Sequence, residues 1–298
     1  MLLAWMTIAL CLGQMPADLD LTPAEAGDLV PEDDYVFPRM AKLFHQKEVE
    51  DRRKSMRDPG PDSTDFPNSP YTLPAGRFYV ELTPFTWTGQ TTSSTASYSF
   101  QMLYRYGVTD NWEFRLYTNG LQVDMAGQGQ SQAVGFSPVV FDMKIHLQDE
   151  VKEWFLPALG LEVQIVTEFG SARLSNGVQP NMNLLATHSL GEKWAFNWNV
   201  GIQGGLGEEN AVYYTTAYQW SIVRELPKNI SLYVHGYMND AALPRFGVPG
   251  VDTGNALVVG GGFQWEIFER FSFWGSANAG LNRTAPDTLF YMGSAFAF

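Results

Sequence analysis

From Gly76 to Phe298 the chain alternates large apolar residues with small or polar ones at every second position. A period of two marks β-strands with two unlike faces, and here it persists to the end of the chain. Turn residues divide the stretch into about twelve strands, near 76–88, 95–107, 112–123, 137–148, 154–166, 178–190, 194–204, 211–223, 230–238, 256–267, 271–281 and 289–298. Each has roughly the 9–11 residues that cross a bilayer at a tilt. Connections alternate between short ones (108–111, 191–193, 268–270) and long ones (124–136, 167–177, 239–255). Short periplasmic turns alternating with longer outer loops predict an all-β fold: an antiparallel transmembrane β-barrel of about twelve strands. The even count puts both chain ends on one side, the periplasm.

The two faces differ as a membrane wall requires. Trp194, Phe196, Trp198, Val200 and Ile202 share one face, with Asn197, Asn199 and Gln203 on the other. Val139, Phe141, Met143, Ile145 and Leu147 oppose Asp142, Lys144, His146 and Gln148. A soluble sandwich would carry more Lys and Glu on its wet face, whereas here that face is mainly Asn, Gln, Ser, Thr and Gly. Charged residues are only 17% of the chain, against a typical ~25%. Trp112, Trp154, Trp194 and Phe271 open strands, and Tyr104, Tyr106, Trp220, Trp265 and Phe298 lie near strand ends on the same side. That placement predicts an aromatic girdle at the lipid headgroups. Pro84, Pro138, Pro157 and Pro180 are expected near strand ends, where a missing ladder bond is tolerable. The net charge of -13 argues against nucleic acid as a partner.

The first 75 residues differ in kind. Residues 1–13 form a short apolar run with small residues, Cys11 and Gly13, before a candidate cut at Gln14, and read as a signal peptide. Cys11 is the one cysteine, so a processed chain carries no thiol chemistry. Residues 14–75 are rich in Pro, Asp and Glu and predict an acidic, partly disordered periplasmic extension with a short charged helix between Met40 and Met56. Within it, residues 38–72 are expected to fold up into the barrel mouth as a plug.

The last strand carries a second message. Phe290, Met292, Phe296 and Phe298 lie on one face, and Tyr291, Gly293, Ala295 and Ala297 on the other. The set Tyr291, Gly293, Phe296 and Phe298 resembles the C-terminal signal of bacterial outer-membrane barrels. That resemblance implies recognition by the barrel assembly machinery, and the strand is expected to close the barrel against 77–87.

Ahead of the first strand, Pro61-Asp62-Ser63-Thr64-Asp65 is followed by Ser69-Pro70-Tyr71-Thr72-Leu73-Pro74-Ala75-Gly76. These two elements resemble the start of the barrel in the outer-membrane transporter family named for meta-pathway phenol degradation. Tyr79 stands where that family often has Gln. The resemblance implies an outer-membrane barrel that passes small, often hydrophobic or aromatic, molecules. It implies no catalytic residue.

Inward-facing charge concentrates in the first five strands: Glu81, Arg105, Glu113, Arg115, Asp142, Lys144 and Glu162. Arg105 is expected nearly opposite Glu113 across the 108–111 turn. Such a set either braces a narrow lumen or forms a charged constriction that sets selectivity. His146 and His235 also point inward on this register, His188 points outward, and His45 lies in the extension. No histidine pair has metal-ligand spacing, so neither metal nor other cofactor is expected. His188-Ser189 puts its two side chains on opposite faces, which argues against a barrel lipid hydrolase. The expected function is therefore an outer-membrane channel or facilitated transporter for a small-molecule solute, surrounded by outer-membrane lipid and not an enzyme. A side-chain-filled structural barrel without transport is the first alternative, and a barrel lipid hydrolase the second, less favoured one.

Overall fold

The computed structural model describes Met56 and residues 59–92, 94–127, 129, 131–175, 177–206, 212–239 and 255–298. The expected signal peptide, the expected helix short of Met56, and His45 lie outside the described residues.

The alternating sequence forms strands β1 (Phe78–Thr88), β2 (Ser97–Thr109), β3 (Trp112–Thr118), β4 (Leu121–Asp124), β5 (Ala133–Phe136), β6 (Val139–Gln148), β7 (Ala158–Val166) and β8 (Gln179–Ser189). They continue with β9 (Trp194–Leu206), β10 (Val212–Leu226), β11 (Ile230–Met238), β12 (Leu257–Phe268), β13 (Phe271–Gly280) and β14 (Thr288–Ala297). Each strand pairs antiparallel with its neighbours, and β1 pairs with both β2 and β14, which closes the sheet into a barrel. Closure of β14 on β1 removes the long free edges that a sheet in lipid cannot keep, and short β5, paired with β4 alone, is the one strand with an open side among those described. The seam has the expected partners, with Tyr79 opposite Ala297 and Thr88 opposite Leu289.

Two of the twelve wall strands are broken. β3 and β4 follow each other along β2, and β6 and β5 continue the same two paths on the next strand. The predicted single strand at 112–123 is thus interrupted at Asn119-Gly120. Gly120 takes φ 56, a left-handed value that a strand cannot hold. Across from it Pro138 supplies no N–H, so the next path breaks between β5 and β6 as well.

Other details depart from the sequence reading. Pro84 lies inside β1, not near its end; the register shifts on both sides of it, between Leu82 and Phe85 against β14 and between Thr83 and Thr86 against β2. A bulge absorbs its missing donor. Trp154 does not open a strand: it sits in a 3-10 turn, Lys152–Trp154, ahead of β7. Trp220 lies well inside β10, opposite Trp198, because β10 runs on to Leu226. Trp112, Trp194, Trp265 and Phe298 remain exposed on the outer surface at the rim that carries Phe78 and Phe298.

On β14 exposure alternates residue by residue, with Phe290, Met292 and Phe296 outward and Tyr291, Ala295 and Ala297 inward. The interior itself is divided. One half, against β1–β3, β6 and β7, is charged. The other, against β1 and β11–β14, is a hydrophobic cluster holding Met56, Leu73, Tyr79, Tyr237, Trp274 and Tyr291, with Phe66 packed on it. The cluster is more aromatic than the Asn, Gln, Ser and Thr lining predicted from sequence.

Candidate functional site: a charged network and an inner segment

All seven predicted interior charges are buried, and the fold brings them together through a residue the sequence reading did not single out, Asp62. Alternation places Arg105 on β2, Glu113 and Arg115 on β3, Asp142 and Lys144 on β6 and Glu162 on β7 on the same inner face. The expected pairing is shifted: Arg115, not Glu113, faces Arg105 directly, and Glu113 faces Gly107. Two arginines opposite each other repel, and the diagonal carboxylate offsets this. Arg105 donates from Nε to Glu113 Oε1 at 2.6 Å and from Nη2 to Glu113 Oε2 at 3.1 Å. Its Nη1 donates to Glu81 Oε1 at 3.0 Å.

Asp62 enters from the segment ahead of β1. Its Oδ2 forms an ion pair with Lys144 Nζ, lies 3.3 Å from Arg105 Nη2 and 3.6 Å from Arg115 Nη1. Burial alone would raise this carboxyl; Arg105, Lys144 and Arg115 outweigh burial and hold it well below the usual carboxylate range. On the far flank, Arg115 pairs with Glu162 and its Nε lies 3.3 Å from Asp142 Oδ2. Asn183 and Asn68 donate to the two oxygens of Glu162 at 2.9 and 2.7 Å.

Wall carboxylates also hold the backbone of the inner segment. Glu81 accepts the N–H groups of Asp62 and Ser63 at 3.1 and 2.8 Å, and Glu113 accepts that of Leu73 at 2.8 Å. Arg105 donates to the carbonyl of Gly60 at 3.0 Å. His146 contacts the Pro70 carbonyl through Nδ1 at 3.1 Å and stacks on Tyr71. In the aromatic half, Phe66 stacks on His235 with centroids 4.0 Å apart and meets Tyr237 edge-on at 4.7 Å. The Phe66 N–H donates to His235 Nδ1 at 3.2 Å, so that nitrogen bears no proton and Nε2 is the one that donates to Asn278 Oδ1, at 2.6 Å. Tyr233 and Tyr291 both donate to the Thr64 carbonyl.

The segment therefore crosses the lumen with one flank in each half. Cavities lie against it on both sides. One, of about 120 Å³, is lined by Asp65, Phe66, Thr86, Thr88, Asp142 and Leu289. The other, of about 210 Å³, is lined by Pro61, Thr64, Pro67, Asn197, Asn229 and Gln264. Asp62 and Asp65 border both. A sequence signal for these residues existed in the Pro-Asp-Ser-Thr-Asp element, but nothing in its spacing says which wall groups it meets.

His188 stacks on Phe155 at 4.7 Å, and the backbone N–H of Ser189 donates to Glu150. Among the described residues, no group of three or more His, Cys, Asp or Glu side chains has the geometry to hold a metal.

Residues 61–298 match the model of a family described as MetA-pathway of phenol degradation. The chain belongs to that family. Its fold is that of outer-membrane barrels. An outer membrane channel of known structure from Pseudomonas putida F1 superposes with a TM-score of 0.56 at 15% identity, over 78% of this chain and 99% of that one. The translocator domain of the autotransporter NalP from Neisseria meningitidis superposes with a TM-score of 0.50 at 9% identity, over 75% and 89% of the two chains. In sequence, the chain is 25% identical over 170 residues to the long-chain fatty acid transport protein of Escherichia coli O6:H1, a match that spans 56% of this chain and 34% of that protein. The family and the barrel agree; the identities to the two solved structures speak to fold alone.

Proposed function

We propose that the chain is an outer-membrane channel for small solutes, held closed by the inner segment 59–75. The observation that carries this reading is the pair of cavities separated by residues 62–66 inside a lined barrel. Solute passes by diffusion once the segment shifts, and Glu81, Arg105, Glu113, Arg115, Asp142, Lys144 and Glu162 set both the grip on the segment and the selectivity of the opened path. His146 holds its middle at Pro70 and Tyr71, and His235 holds it at Phe66. Both chain ends face the periplasm. The solved channel and the fatty acid transport relative support a transport role, and hydrophobic or aromatic solutes are the class that the family description favours. Tyr291, Gly293, Phe296 and Phe298 serve the barrel assembly machinery: they lie on or beside β14, the strand that closes the barrel, with Phe296 and Phe298 exposed.

The test is single-channel recording in planar bilayers, comparing the full chain with a variant lacking residues 59–72. The reading expects small or rare openings in the first and larger, longer ones in the second. Silence in both would leave a structural barrel, a reading that the dense ion pairing also favours.

A further inference from the structure

Among the described residues that line one cavity, two carboxylate oxygens have no hydrogen-bond partner: Oδ2 of Asp65 and Oδ1 of Asp142. Both side chains line the cavity of about 120 Å³. Asp142 is 2% exposed, and Oδ2 of Asp65 is shut off from solvent. The hydroxyl of Thr86, buried on the same cavity, makes no hydrogen bond either. Buried polar atoms are nearly always satisfied, and leaving an acidic oxygen alone is among the costlier exceptions. Both oxygens call for a donor.

The fixed cations are already engaged. Arg115, the one cation among the described residues of that lining, pairs with Glu162 and lies 3.3 Å from the other oxygen of Asp142. Across the network, Asp62, Asp65, Glu81, Glu113, Asp142 and Glu162 are six carboxylates against three cations, Arg105, Arg115 and Lys144. The rest of the lining joins the rings of Phe66, Tyr117 and Tyr291 and aliphatic side chains such as Leu103 to neutral polar groups such as Asn68 and Gln101.

We propose that this cavity binds a small organic ammonium ion, whose N–H donors satisfy Asp65 and Asp142 and whose carbon chain lies against Phe66 and Tyr291. The site builds on the channel reading, in which it is the place where a permeating amine rests. An ammonium supplies several charge-assisted donors, an alcohol of equal size only a neutral one, and a carboxylate none. Burial pushes the Asp65 carboxyl up to about 6, so at pH 8 it is ionised, with Oδ1 accepting from the Thr64 hydroxyl at 3.2 Å and Oδ2 unsatisfied.

The experiment is calorimetric titration of the refolded full chain in detergent at pH 8 with n-butylammonium chloride, n-butanol or sodium butanoate. Butylammonium is expected to bind about tenfold or more tighter than either of the others. Asp65→Asn should weaken butylammonium about tenfold. It changes the inner segment and not the wall, and heat-modifiable migration on gels checks that its barrel is intact. Equal affinities for butylammonium and butanol, unchanged affinity in Asp65→Asn, or no binding by any probe (water alone in the cavity) would each overturn the site. Conduction is not needed for this readout. A barrel that binds butylammonium but passes no current keeps the site and loses the channel; a conducting barrel blind to butylammonium does the reverse.

Discussion

Asp62 and Lys144 form an ion pair across 82 residues of sequence, and among the described residues Lys144 has no other carboxylate within ion-pair distance. The pair joins the inner segment to β6 in the wall. Its strength is a matter of what is left when one partner goes: a buried cation alone is far costlier than no cation at all.

Asp62→Asn should therefore destabilise the barrel by roughly 3–5 kcal/mol, read as a lower temperature of heat-modifiable migration. The double variant Asp62→Asn, Lys144→Met should regain at least half of the loss. If the double variant is no better than the single one, Lys144 is not the group that Asp62 stabilises.

A pH dependence follows from Asp65. Its carboxyl rises from 3.8 to about 6, chiefly through burial; hydrogen bonds from Ser221 on β10 and Thr64 oppose the rise, and neighbouring Asp62 adds to it. Tyr233 on β11 also faces it. A raised acid favours the folded state while protonated, so its contribution is complete below about 3.8 and is lost as pH climbs through about 6. Ionised Asp65 then costs on the order of 2–3 kcal/mol. Asp65→Asn should be more stable than the parent at pH 8 and indistinguishable from it near pH 4, measured by urea titration in detergent at both values.

Phe66 ties the segment to the aromatic half through His235 and Tyr237. Truncation to Ala removes a half-buried ring and should loosen the segment by about 2 kcal/mol, less than a fully buried Phe would cost. Limited proteolysis of the folded barrel should then cut within 59–75 faster by an order of magnitude or more, with no new cuts in the strands.

Gly293 has two candidate roles, and they can be separated. A Cβ there would fall 2.4 Å from Cζ2 of Trp274, which is wholly buried. Gly293→Ala should lower the folded yield, and Trp274→Phe in the same chain should restore it. Yield that stays low in the double variant would show that relief at Trp274 is not enough, because the same Cβ also meets the carbonyl oxygen of Leu82 at 2.7 Å; recognition during assembly is then the remaining alternative to that contact.

The barrel was legible because its causes are local and repeated. Alternation fixes which way Asp142 or Phe141 points, and turn residues fix where strands end, so strand number and closure follow from patterns within a dozen residues. Departures arise where one residue overrides its strand, as Gly120 and Pro138 do. The interior was half legible. Glu81, Arg105, Glu113 and Lys144 could be assigned inward one by one, but register decides who meets whom, and a two-residue offset put Arg115 where Glu113 was expected. Asp62, Asp65 and Phe66 sit in an irregular stretch whose position depends on contacts 18 to 227 residues away, for which no periodicity exists to read.

Those separations also imply an order of events. The contacts that hold the charged flank of the segment to β1 and β2, Glu81 with Asp62 and Ser63 and Arg105 with Gly60, span 18 to 45 residues. The contacts of its aromatic flank, with His235 and Tyr291, span 169 to 227. Short loops close sooner than long ones. Loop closure alone therefore favours an order in which the segment docks on the first hairpin before β14 arrives and the last strand completes the ring around it. Once the ring is shut, the segment runs straight into β1 at the rim shared by Phe78 and Phe298, where the Met56 N–H also donates to the Glu269 carbonyl, so a pull that opens the lumen has to come from that side.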